Sequence, residues 1–238
     1  MKAREPQIFG VGGHFFVEPW EPPLLQRHLL SLAGVEEPRI CFIGAAGGDN
    51  PADVELFYRQ MQRHRCRLTH LNLFAPHTAR FDEFLMEHDV IYVGGGATRN
   101  LIALWREWEL IEPLRRAWQS GVVLAGTSAG SICWFEGCIT DSLPERLLPL
   151  ACTGFLRGSG CTHYDARPDR PNAFRRCLLD GSIPGPGIAT DDHVALHYIG
   201  ARLADVVTAV PGRRAHRLDV IDGRLSETPL PARFLGDL

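Results

Sequence analysis

The sequence predicts an α/β fold: a mainly parallel sheet covered by helices on both faces, with extra antiparallel strands near the C-terminus. Three observations carry this. Short continuous apolar runs alternate with stretches whose apolar residues recur every three to four positions, the pattern of buried strands and amphipathic helices. Several of the runs end in glycine-rich segments that open a helical pattern, as strand-to-helix turns do. In the C-terminal third, short strand-like runs follow one another with only turn residues between them.

Each element follows from local pattern. Arg39–Gly44 is a buried strand, and the Gly/Ala/Asp/Asn segment 44–50 after it is turn chemistry. Pro51 opens a helix with Val54, Phe57, Tyr58 and Met61 on one face, and Asn50 is its expected cap. Arg67–Leu73 is the next strand, Phe81–His88 a short amphipathic helix, and Val90–Val93 a third strand ending in Gly94-Gly95-Gly96. A helix from about Arg99 to Trp108 follows, placing Leu101, Leu104, Trp105 and Trp108 on one face. Trp105, Trp108 and Trp118 are expected in the core. Val122–Ala125 is the fourth strand. Residues 136–172, rich in Gly, Pro, Asp and Arg, are expected as loops and short strands. Gly187–Thr190, Ala195–Tyr198 and Ala204–Val207 are short strands, and Arg217–Ile221 followed by Asp222-Gly223 is a hairpin. No repeat, low-complexity tract or linker divides the chain, so residues 1–238 are read as one domain.

Composition excludes whole classes. The chain has 238 residues, 45% hydrophobic and 22% charged, which suits a folded globular core and not a disordered or coiled-coil chain. Its net charge of −3 leaves no basic field for nucleic acid or an anionic membrane surface. No apolar run reaches the ~18 residues of a membrane span. The first residues, MKAREPQ, lack the apolar core of a secretory signal. Seven scattered cysteines with no C-x-x-C suit a reducing compartment, so the expected location is the cytoplasm.

The motif that carries chemistry is Gly126-Thr127-Ser128-Ala129-Gly130, directly after the fourth strand, with a helix expected over Ser131–Phe135. G-x-S-x-G between a strand and a helix is a nucleophile elbow: it lifts a serine hydroxyl to the sheet rim beside free helix N-terminal N–H groups. Such a serine needs a base and a group to orient the base. Among ten histidines, His163 stands out in the loop-rich Gly160–Asp165, with His193 as competitor beside Asp191-Asp192. Asp141, Asp165, Asp191 and Asp192 are all available to orient it. Gly94-Gly95-Gly96 lacks both the dinucleotide glycine pattern and the P-loop lysine, so it is better read as backbone for an oxyanion than as a phosphate cradle. The loop Gly44–Asn50 also lies at a strand end, where it could line the same cleft, but on its own it reads better as a helix-entry turn capped by Asn50 before Pro51. Cys161, His163 and Asp165 have no partnering ligand pair, so no metal is expected, and no cofactor.

These blocks — Val-Gly-Gly-Gly-Ala-Thr at 93–98, Leu-Ala-Gly-Thr-Ser-Ala-Gly-Ser at 124–131 and Thr-His-Tyr-Asp at 162–165 — resemble the peptidase E (aspartyl dipeptidase) family of serine peptidases, to which cyanophycinase is related. The resemblance runs over roughly residues 38–200. It implies a fold like that of class I glutamine amidotransferase domains (flavodoxin-like), with Ser128 where those domains usually carry cysteine. It implies Ser128 as nucleophile, His163 as base, and backbone oxyanion donors at Gly95, Gly96 and Ala129. The family's third member is usually a Glu, and here Asp192 aligns with it, one methylene shorter; Asp141 matches another acidic position and is the reserve. Arg170 aligns with an arginine suited to the side chain of an N-terminal aspartate. Ala97 stands where relatives carry Asn.

The resemblance thus implies a serine peptidase of small acidic peptides, with Asp-X dipeptides as the expected substrates. Cyanophycinase-like or isoaspartyl peptidase activity is an alternative. An amidotransferase-like domain, or a binding module without turnover, would be the rivals. The expected partner is a small peptide, with homodimer formation left open.

Overall fold

The computed structural model describes residues 4–17, 19–21 and 23–237. Val, Ile, Phe and Leu occupy both faces of five neighbouring parallel strands, which therefore must be covered on both sides. In chain order the elements are β1 (Gln7–Val11), α1 (Leu24–Leu32), β2 (Arg39–Ile43), α2 (Pro51–Met61), β3 (Arg67–Leu71), α3 (Phe81–Met86), β4 (Val90–Val93), α4 (Thr98–Glu107), α5 (Ile111–Gln119), β5 (Val123–Thr127), α6 (Ala129–Ile132), β6 (Phe135–Leu143), β7 (Arg146–Ala151), β8 (Leu156–Cys161), α7 (Asp169–Leu179), β9 (Gly187–Thr190), β10 (Val194–Ile199), β11 (Arg202–Thr208), β12 (Arg214–Ile221), β13 (Arg224–Pro231) and β14 (Arg233–Phe234). Asn50 caps α2 by accepting the Ala52 N–H at 3.0 Å, with Pro51 at the first helical position.

Eight strands form the first sheet, in the order β14-β11-β10-β1-β5-β4-β2-β3; six form the second, β13-β12-β9-β8-β6-β7. Strands β1, β5, β4, β2 and β3 are mutually parallel. Strand β10 runs antiparallel to β1, and β11 antiparallel to β10.

Alternation along each strand assigns the layers. On one face Phe9, Val11, Phe42 and Tyr92 pack with Leu25 and Leu29 of α1 and Phe57 and Met61 of α2. On the other, Ile8, Ile43, Val93 and Leu124 meet Leu101, Ile102 and Trp105 of α4, Leu114 of α5, and Phe135, Leu156, Ile188 and Ala215 of the second sheet. The second sheet is covered in turn by α7, through Phe174, Cys177 and Leu178 against Ile139, Cys161 and Leu218. Each large apolar side chain removed from water in these layers contributes about 1.5–3 kcal/mol.

The structure corrects several expectations. The helix after the elbow is a single turn, Ala129–Ile132, and Phe135 already begins a strand. The Gly- and Arg-rich segment 136–172 is mostly strand, because it builds β6, β7 and β8 of a second sheet packed between the first sheet and α7. The hairpin β12–β13 joins that second sheet, and β10, β11 and the two-residue β14 extend the first near the C-terminus, with β14 parallel to β11. Trp105 is buried and Trp118 nearly so, whereas Trp108 is 39% exposed, because it closes α4 rather than facing the sheet. Strand β1, at the centre of the first sheet, has no counterpart in the sequence reading.

Candidate active site

Strand register brings one rim of the two sheets together. In the first sheet, Val11 lies opposite Thr127 on the parallel side and opposite Ala195 on the antiparallel side. The C-terminal ends of β1 and β5 and the N-terminal end of β10 therefore share an edge. Backbone bonds continue past the strands: Gly12 donates its N–H to Val194 O (2.8 Å), His193 donates to Gly13 O (3.2 Å) and Ser128 donates to Val11 O (3.0 Å). In the second sheet Cys161 lies opposite Ala189, and Tyr164 donates its N–H to Thr190 O at 3.1 Å. This sets His163 beside Asp191 and Asp192, the crossover from β9 to β10. The first sheet thus carries Ser128 and the second carries His163, with Asp192 on the segment joining them.

Ser128 has φ 54° and ψ −114°, a conformation sparsely populated by residues with a Cβ and worth about 1–3 kcal/mol of strain. Its carbonyl accepts the N–H groups of Ser131 (2.9 Å) and Ile132 (3.1 Å), which hold the turn closed. The flanking glycines are steric requirements. A Cβ on Gly126 would lie 2.3 Å from Gly130 O, and one on Gly130 would lie 2.1 Å from Val93 O. The elbow is therefore pressed against the end of β4, whose following residue pair includes Gly95. A Cβ on Gly95 would stand 3.3 Å from Ser128 Cβ.

Side-chain hydrogen bonds run through the site. Ser128 Oγ is 2.9 Å from His163 Nε2, and His163 Nδ1 is 2.6 Å from Asp192 Oδ1. With Nδ1–H donated to the carboxylate, Nε2 is the free lone pair that accepts the serine O–H. Asp192 is 5% exposed. Burial pushes its carboxyl up, but the hydrogen bond from His163 and the positive ends of His163, His14 and His193 outweigh this and hold it below the usual carboxylate range. Its backbone N–H donates to Asp165 Oδ1 at 2.8 Å, and Asp165 is ion-paired with Arg213.

The other acidic candidates have different work. Asp191 accepts the Arg214 N–H at 3.1 Å, tying the crossover to β12, and burial raises its carboxyl above the ordinary value. The reserve carboxylate Asp141 is not at His163. It is paired with Arg170 Nη2 at 2.7 Å and Arg167 Nη1 at 3.1 Å. Arg170, expected as an open cation, has a side chain only 4% exposed and committed to Asp141; Arg167 is 46% exposed. Burial first, then the neighbouring Asp141 and Asp169, push the Cys161 thiol up to about 12, while Arg170 pulls the other way. Ser142, next to Asp141, accepts the Arg99 N–H at 3.1 Å, which joins this cluster to the start of α4. Gly96 packs on the Ala46 carbonyl, and Ala97 donates its N–H to Ala46 O at 2.8 Å, so the loop Gly44–Asn50 buttresses the triple glycine. Ala129 opens α6, where N–H groups have no partner within the helix.

Two site residues escaped the sequence reading, Gly13 and His14 at the end of β1. A Cβ on Gly13 would lie 2.2 Å from Asp192 Oδ1 and 2.5 Å from His163 Cε1, so the side chains close onto bare backbone. The Gly12-Gly13 pair following Gln7–Val11 was the available signal. A separate groove of about 1030 Å³, lined by Phe81, Trp105, Trp108 and Arg116, shares no residue with this site.

The chain is similar to several known proteins along most of its length. The model of peptidase family S51 matches residues 11–206. The chain is 44% identical over 225 residues to the uncharacterized peptidase YgaJ of Bacillus subtilis strain 168, covering 94% of this chain and 96% of that protein. The crystal structure of a peptidase from an acI-B1 Actinobacterium superposes with a TM-score of 0.74 at 21% identity, covering 97% of this chain and 96% of that one. A putative peptidase E protein from Listeria monocytogenes EGD-e superposes with a TM-score of 0.62 at 13% identity, covering 86% and 98%. The two structures share the fold; the family match and the B. subtilis relative together establish that this chain belongs to peptidase family S51, a family of serine peptidases.

Proposed function

We propose that this peptidase hydrolyses small acidic peptides, Asp-X dipeptides foremost, through an acyl-enzyme on Ser128. The observation that carries the reading is the 2.9 Å and 2.6 Å hydrogen-bond relay from a serine at φ 54° to a buried carboxylate. His163 Nε2 takes the Ser128 proton as Oγ attacks the scissile carbonyl. Asp192 keeps the imidazole in the required tautomer and stabilises the imidazolium. The oxyanion meets backbone N–H groups of Gly95 or Gly96 and Ala129. The tetrahedral intermediate collapses, the C–N bond breaks, and His163 hands its proton to the leaving amine. A water deprotonated by the same nitrogen then attacks the ester, releasing the acid and restoring the Ser128 hydroxyl.

The acidic preference is supported by the Asp141–Arg167–Arg170 cluster, in which half-exposed Arg167 offers a guanidinium for a substrate carboxylate, Asp141 a carboxylate for a substrate ammonium, and buried Arg170 holds Asp141 in place. A reducing cytoplasm suits the seven free cysteines, and no described helix is long and apolar enough to cross a membrane.

The test is hydrolysis of a panel of Asp-X, Ala-X and β-aspartyl dipeptides. Asp-X should show the highest kcat/KM, and R167A and R170A should raise KM for Asp-X more than for Ala-X. Equal effects on both, or preference for β-aspartyl bonds, would replace the Asp-X reading; no hydrolysis at all would favour a binding module.

A further inference from the structure

Only one oxygen of Asp192 is used by His163. The second, Oδ2, lies 3.2 Å from Nε2 of His14. An aspartate carboxylate turns readily about its last torsion. With Oδ2 left alone, either oxygen could follow the His163 N–H and the imidazole could tilt with it. The fold spends several features on placing the His14 ring. His14 has φ 61° and starts a turn closed by Val17 donating its N–H to His14 O at 3.2 Å. Its ring stacks on His193 at 5.2 Å and 21° and stands edge-on to His163 at 6.4 Å. Burial first, then the charge of His14, hold His193 below its ordinary value, and the His193 ring is the surface on which His14 stacks. The backbone bond from His193 N–H to Gly13 O locks the two histidine segments to each other. No such arrangement is required to hold a half-exposed histidine on a surface.

We propose that His14 is a positioning residue of the catalytic apparatus: through the 3.2 Å approach of its Nε2 to Asp192 Oδ2 it holds the carboxylate, and through it the imidazole of His163, against Ser128. The inference rests on the reading of Ser128 and His163 as nucleophile and base. His14 does not touch Ser128 and acts only through Asp192. Its contact is with a carboxylate whose side chain is 8% exposed, while His14 itself is 49% exposed, so its loss should cost less than loss of Asp192.

The experiment measures the second-order rate of Ser128 phosphonylation by a fluorophosphonate at one neutral pH, for wild type, H14A, H14Q and H163A, with Tm recorded for each. Glutamine places an amide N–H near the Nε2 position, and both substitutions keep a Cβ at the same positive φ, so they differ chiefly in the polar group offered to Asp192. H14A should slow phosphonylation about tenfold and H14Q should stay within about threefold of wild type. The downfield proton resonance of His163 Nδ1–H should move in H14A and return in H14Q. H14A reacting within about twofold of wild type, or H14Q as slow as H14A at equal Tm, overturns the proposal. H163A reacting at the wild-type rate overturns the base assignment and this proposal with it. A slow H163A beside an unaffected H14A overturns the role of His14 alone.

Discussion

The two sheets contribute to the site in different ways. The first sheet contributes backbone: a strained serine at φ 54°, glycines that admit no Cβ, and strand ends in fixed register. The second sheet contributes charge and hydrogen bonds: His163 from the end of β8, and Asp192 and its neighbours from the end of β9. In the proposed mechanism the nucleophile is thus placed by sterics, which pH does not alter, and its activation depends on ionisable groups, which pH does alter. The crossover Asp191–His193, shared by both sheets, couples the two.

Substitutions can break this division at either half. The largest effect is expected from S128A, which should abolish turnover with little change in Tm, since alanine keeps the strained backbone. S128G should be equally inactive and more stable than S128A by about 1 kcal/mol, because glycine relieves the strain. Thermal melts of the pair check this, and equal Tm values would mean that the elbow stores no strain. Next, D192N should lower kcat about ten-thousandfold, as expected when the imidazole tautomer is lost; D141N, whose native carboxylate pairs with Arg170 and Arg167, should leave kcat largely intact and act on KM and stability. If D141N proves the crippling change, the carboxylate assignment is wrong. G13A sharpens the comparison, since it alters only first-sheet backbone yet should disable second-sheet side chains: about a hundredfold loss of kcat/KM is expected as Asp192 and His163 are pushed apart.

Smaller effects concern stability. D141N removes the main partner of a buried guanidinium. Because Asp141 is itself 39% exposed, solvent softens the penalty, and about 1–2 kcal/mol is expected in denaturant melts. The pH dependence has a definite sign. His28, His88, His193 and His197 are all held below the ordinary 6.5 by burial. The unfolded chain therefore takes up protons first, so the stability they confer is complete above about pH 6.5 and is lost as pH falls. Asp192 and Asp141, held below their ordinary value of 3.8, add a second loss below about pH 4. A Tm profile flat from pH 7 down to 5 would contradict the first window.

The parallel core and the elbow were legible because their signals are local. Val90–Val93 and the start of α2 at Pro51 fall where apolar periodicity and the Asn50-Pro51 cap put them, and G-x-S-x-G announces its own geometry. The second sheet was harder to see, because β6 to β8 are interrupted by Gly, Arg and Pro, and their apolar residues are split between the first sheet and α7. The choice of Asp192 over Asp191, Asp165 and Asp141 came from the family resemblance, not from spacing, because strand pairing across the chain decides which carboxylate reaches His163. His14 was passed over for the same reason: its partner is 178 positions away, and nothing in Gly-Gly-His-Phe names a carboxylate.

The most direct test of the central claim is to treat the wild-type protein with a fluorophosphonate and locate the adduct by mass spectrometry of its peptides. A single adduct on Ser128, absent in S128A and strongly slowed in H163A, is the expected result. No adduct on wild type, or one that persists in S128A, would mean that the hydroxyl at the sheet rim is not activated by the imidazole beside it.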